Sequence, residues 1–138
     1  MLKRLNGWPE ALASALERAR NEPFRWGQND CCLFAAYCAE AITGRDLSIQ
    51  FRGYQTREEA AEILEGFGGL YRLASIIARA HGIPEISPLQ ARRGDICLLK
   101  GREGPMLGVC IGDKIVAPGA EGLVSYPISK GHHAWGIG

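Results

Sequence analysis

The chain has 138 residues, 46% of them hydrophobic, enough for one domain with a real core. Sixteen basic side chains against fifteen acidic ones give a net charge of +1, which argues against a nucleic-acid-binding surface. The longest uninterrupted apolar run, Cys31 to Ala39, falls far short of the ~20 residues of a membrane span, so no membrane insertion is expected.

In chain order, the start at Met1 to Glu10 lacks the apolar stretch of a signal peptide, so synthesis and folding in a cytoplasm are expected. Trp8, Ala11, Leu12, Ala15, Leu16 and Ala19 recur at helical spacing, with Pro9 in the first turn and Pro23 ending the segment. Asp30 caps a second helix from Cys31 to about Thr43, apolar nearly all round and stopped by Gly44. A loop from Arg45 to Gln55 leads to the capping box Thr56-Arg57-Glu58-Glu59 and a third helix, broken in Gly66-Phe67-Gly68-Gly69. A fourth helix spans about Leu70 to His81, where His81 complements the helix dipole before Gly82.

From Asp95 the period changes to that of strands: Ile96 to Leu99, Met106 to Ile111, a Gly112-Asp113 turn, Lys114 to Ala117, and Leu123 to Tyr126. Ala134-Trp135-Gly136-Ile137 is expected to close the sheet. Helices (about 8–82) followed by an antiparallel sheet (about 95–137) make a single α+β domain. The basic pairs Lys3-Arg4 and Arg92-Arg93 are expected on solvated faces.

The candidate chemistry lies at Asn29-Asp30-Cys31-Cys32. A cysteine at the first helical position meets unpaired backbone N–H groups and the positive end of the helix dipole, which favour a thiolate nucleophile. Cys32 is expected to pack inward, and Cys38, Cys97 and Cys110 to be small buried hydrophobes. Five cysteines without a secretion signal do not suggest a disulfide framework, and no Cys-x-x-Cys pair exists. Neither metal nor cofactor is expected; the alternative is a metal or iron–sulfur role for the cysteines, such as a zinc site of Cys31, Cys32, His132 and His133.

Three motifs carry a resemblance to the papain-like cell-wall peptidases of the NlpC type. They are Trp26-Gly27 with Asp30-Cys31 at a helix start, Arg93-Gly94-Asp95-Ile96, and Leu107-Gly108-Val109-Cys110-Ile111-Gly112-Asp113. More narrowly, the chain resembles a small phage and prophage group of that superfamily, which shares Gly68-Gly69-Leu70 and Ala134-Trp135. The resemblance implies a papain-like fold and a virion tail-tip or tail-assembly role. Its implied partners are other tail proteins of a hub or tail-tip complex, with peptidoglycan as a further candidate. Its implied location is the host cytoplasm during assembly and then the virion tail.

The resemblance also places a general-base histidine just before the Val-Gly-Ile strand and a third polar residue on the next strand. These positions are Met106 and Val116 here, and neither side chain can take a proton. His132 and His133 are the remaining candidate bases if the terminal segment approaches Cys31; the alternative is a polar turn with two exposed imidazoles. A degenerate structural or binding module is therefore expected, with an active cysteine hydrolase of peptidoglycan stem peptides as the alternative. Trp26, Tyr37, Tyr54 and Trp135 are read as core or interface anchors, with a substrate groove as the alternative. The aromatics Phe51, Tyr54 and Phe67, in loop-like sequence, are either partner contacts or core cover.

Overall fold

The structure, a computed structural model, describes residues 2–138. Among these residues four helices precede the whole sheet: α1 (Trp8–Ala19), α2 (Cys31–Thr43), α3 (Arg57–Phe67) and α4 (Leu70–Ala80). Six strands follow: β1 (Glu85–Ile86), β2 (Ile96–Gly101), β3 (Gly104–Cys110), β4 (Lys114–Gly119), β5 (Gly122–Pro127) and β6 (Gly131–Trp135). They form one antiparallel sheet in the order β1-β6-β2-β3-β4-β5. The terminal segment thus enters the sheet between β1 and β2, three residues earlier than its Ala134 start suggests.

α2 is apolar on nearly every side because it packs between α1 and strands β3 and β4. Phe34, Cys38, Ala39 and Ile42 of α2 join Leu12 of α1 and Ile96, Leu98, Leu107 and Val109 of the sheet in the main core. α4 is amphipathic and buries Leu70, Leu73 and Ile77. On the opposite face of the sheet a smaller cluster holds Cys97, Leu99, Cys110, Ile115 and Ala134. Cys38, Cys97 and Cys110 are fully buried, and burial pushes the Cys38 and Cys97 thiols up to about 12.

Two glycines of the sequence motifs answer to close approach. A Cβ on Gly27, whose φ is +76°, would stand 2.1 Å from the carbonyl oxygen of Tyr54. A Cβ on Gly108 would stand 2.5 Å from Ile115 Cγ2 on the neighbouring strand β4.

Arg4 does not lie on a solvated face. Its guanidinium is buried against Asp95, with Nη2 3.0 Å from Oδ1, and lies over the Trp8 ring at 4.2 Å. Arg4 also donates from Nε to the Ile137 carbonyl and from Nη1 to the Arg93 carbonyl, each at 2.7 Å. A cation whose guanidinium finds three acceptors can be buried, so the expectation from local charge spacing fails.

Phe51 and Tyr54 are likewise buried, and Phe67 is half-buried against the core. The 45–55 segment therefore turns its aromatics inward, and Phe51 and Tyr54 are not available as partner anchors.

Candidate functional site

The Cys31 site is assembled from the turn before α2, the roof made by α3, the start of α4 and the edge of the β2–β3 hairpin. Asp30 sets its frame. Its backbone is extended (φ −98°, ψ 175°), and its side chain accepts from Leu33 N at 3.0 Å, capping α2. The second carboxylate oxygen accepts from Gly27 N at 3.0 Å and from the Tyr54 hydroxyl at 2.5 Å. Three donors thus hold a carboxylate that is only 2% exposed. Tyr54 is correspondingly locked in its phenol form, its pKa raised by burial and by donation to Asp30.

Cys31 and Cys32 are half-buried neighbours in the first turn. The Cys31 pKa is lowered chiefly by the hydrogen bond from the Cys32 thiol; burial opposes this, and the backbone N–H of Leu107 on β3 assists. Asp30 also opposes ionisation through its charge. Cys32 moves well upward because it keeps the proton it donates and is itself desolvated. The pair therefore concentrates thiolate character on Cys31.

Cys31 opens on a cavity of about 90 Å³ lined by Trp26, Tyr54, Ile63, Leu64, Leu70 and Pro105, among others. Trp26 stays partly exposed at this rim and meets Phe24 edge-on, with ring centroids 4.8 Å apart. No imidazole lines the cavity.

From β3, Pro105 lines that cavity while the amide of Leu107 reaches Cys31. Side chains alternate across a strand, so Met106 lies on the opposite face, paired with Leu99 and packed on the second cluster. Met106 therefore does not occupy a position facing the thiol, although the motif alignment places it there. Val116 is buried in the main core.

The two candidate bases are elsewhere. His132 is exposed at the irregularity where the β2–β6 register slips. His133 pairs across β6 with Leu98, which in turn pairs with Leu107 on β3. Two strand spacings, about 10 Å, thus separate His133 from the Leu107 position. The His133 Nδ1 is 2.9 Å from Glu85 Oε2, and the ring lies against Tyr71 with centroids 4.3 Å apart. Tyr71 donates to the other Glu85 oxygen at 2.7 Å. The Glu85 carboxyl is held below its usual range by Tyr71 and, less strongly, by His133. His133 thus belongs to a separate cluster joining α4, β1 and β6.

This geometry predicts a selective thiol. At neutral pH, iodoacetamide should label Cys31 ahead of the other four cysteines, because Cys38, Cys97 and Cys110 are buried and Cys32 retains its proton. A depressed pKa places the rise in alkylation rate at lower pH than for an ordinary thiol. Peptide mapping by mass spectrometry across pH 6–9 checks this; equal labelling of Cys31 and Cys32, or a rate that rises only above pH 9, would refute it.

Fold and site together define an α+β domain in which a thiol at a capped helix start is pressed against an antiparallel sheet. Residues 3–137 match the family described as a domain of unknown function (DUF6950), and the chain belongs to that family. No curated protein matches the chain.

Proposed function

We propose that this is a papain-like, NlpC-type domain that has lost peptidase chemistry and serves as a structural or binding module of a phage or prophage tail. Its partners would be other proteins of the tail tip or of tail assembly. Its path would run from the host cytoplasm to the virion tail.

The observation that carries the silent-enzyme reading is the setting of Cys31: a thiol with lowered pKa in a cavity lined by no imidazole. Amide hydrolysis needs a group to deliver a proton to the leaving amine and to activate water for deacylation. The nearest sheet positions are Pro105 and Leu107, and His133 is held by Glu85 across β6. The tail assignment rests on the motif resemblance, chiefly Trp26-Gly27…Asp30-Cys31, Gly68-Gly69-Leu70 and Ala134-Trp135.

Incubation of the purified domain with peptidoglycan stem peptides at neutral pH should give no cleavage by mass spectrometry. Met106→His should remain inactive, since residue 106 lies on the far face of β3. Cleavage that Cys31→Ala abolishes would overturn this reading in favour of an active cysteine hydrolase. Co-purification with tail proteins, retained in Cys31→Ala, tests the structural role; absence of the chain from tail-assembly intermediates and finished tails would reject it.

A further inference from the structure

The free space beside Cys31 does not end at the thiols. Behind the cavity of about 90 Å³ lies a second of about 50 Å³, between α2, α4 and the sheet. Cys32, Phe51 and Leu73 line both, so only these side chains stand between the outer and the inner space. Ala36, Ala74, Ile77, Ile96 and Leu107 form much of the inner wall, and no charged, hydroxyl or amide side chain lines it. Native interiors are packed to crystal-like density and leave few such voids. An apolar cavity stays dry, and its walls regain dispersion contacts only from an apolar occupant. The two volumes together approach the ~150 Å³ of an engineered apolar cavity that takes up benzene, a ligand of about six carbons.

We propose that Cys31 is a site of S-acylation, taking a short aliphatic acyl group from a thioester donor and seating its chain in these two cavities. The chemistry suits a thiolate that has no imidazole. Attack on the donor carbonyl forms the C–S bond to Cys31 and breaks the donor's own C–S bond. The donor leaves as a thiolate and takes its proton from water, so one thioester is exchanged for another. A thiolate leaves without help, whereas the amine of a peptide needs an acid. The product then persists, because deacylation needs a base to activate water. The carboxylate at the outer cavity, Asp30, is held by Gly27 N, Leu33 N and the Tyr54 hydroxyl. Persistence of the product rests on the silent-enzyme reading, whereas its formation does not. Each buried methylene strengthens binding about fourfold, so the cavities select for chain length.

The test incubates the whole chain at neutral pH with the N-acetylcysteamine thioesters of acetic, butanoic and hexanoic acids, and follows intact mass and peptide maps. A single acyl group is expected, on Cys31 and removable by hydroxylamine. The hexanoyl donor should react at least tenfold faster than the acetyl donor, each rate taken relative to that donor's reaction with a free cysteine peptide. The S-hexanoyl protein should melt higher than the S-acetyl protein, since only the longer chain reaches the inner cavity. Ala74→Leu narrows that cavity and should lower the hexanoyl-to-acetyl rate ratio at least fivefold. Cys31→Ser should take up no acyl group. The donor series on the native chain decides even where Ala74→Leu folds poorly. Equal or faster acetyl transfer, an adduct on Cys32, or no acylation at all would overturn the proposal and leave the silent-enzyme reading standing. Loss of the acyl group within minutes in the absence of hydroxylamine would overturn both, because it requires the deacylating base that the silent-enzyme reading denies.

Discussion

Replacing Asp95 by Ala should destabilise the domain by about 3–5 kcal/mol, the scale expected when one partner of a buried ion pair is removed. Asp95 is 1% exposed and receives three donors. Oδ1 accepts from Arg4 Nη2 at 3.0 Å and from Ile137 N at 2.9 Å, and Oδ2 accepts from Arg92 N at 2.9 Å. The carboxylate therefore ties residues near both ends of the chain to the turn that starts β2. Removing it strands the Arg4 guanidinium, which burial and the charge of Arg92 already press toward a lower pKa. Against a total stability of about 5–15 kcal/mol, such a loss leaves a marginal fold. Asp95→Asn keeps an acceptor but loses the charge, so its cost should be smaller. Urea unfolding of the three proteins measures this, and a cost under about 1 kcal/mol for Asp95→Ala would show that the clamp contributes little.

Asp95 also marks where sequence reading stops. The Arg93-Gly94-Asp95 motif signals the start of a strand, but its ion-pair partner is 91 residues away in sequence, and distant charges leave no local pattern. The helices were legible because each writes its own signals: Asp30 and Thr56 as caps, Gly44 as a stop, and apolar residues at helical spacing. The β2–β5 meander was legible for the same reason, through alternation and turn residues. β1 was not, since two residues between Pro84 and Ser87 cannot display a period. The place of β6 was also hidden, because strand order depends on long-range pairing.

At the site, the position of Cys31 was readable and its surroundings were only partly so. The alternation of Leu107 and Val109 as core residues already implies that Met106 faces the other way. That period-2 signal competed with the motif alignment, and the pleat decides in its favour. Tyr54 looked like a loop aromatic because nothing within the 45–55 segment reveals that its hydroxyl meets a carboxylate 24 residues earlier.

The corresponding prediction at Asp30 is a loss of about 3 kcal/mol or more in Asp30→Ala. Loss of an N-cap alone costs about 1 kcal/mol. Here the same side chain also satisfies Gly27 N and the Tyr54 hydroxyl, and each buried donor left without an acceptor adds about 1–3 kcal/mol. Asp30→Asn should fall between Ala and the native chain. Its oxygen can cap Leu33 N, and its amide can donate to the Tyr54 oxygen, but Gly27 N then has no acceptor. Tyr54→Phe removes one donor without stranding another, so it should be milder than Asp30→Ala. The two Asp30 variants also separate framing from electrostatics. Because the Asp30 charge raises the Cys31 pKa, Asp30→Asn should shift the pH profile of Cys31 alkylation further down while the fold persists. Urea unfolding and pH-resolved alkylation on the same samples provide the check. If Asp30→Ala and Asp30→Asn are equally stable, the three-donor account of this carboxylate fails; if the Asn profile moves upward, its electrostatic part fails.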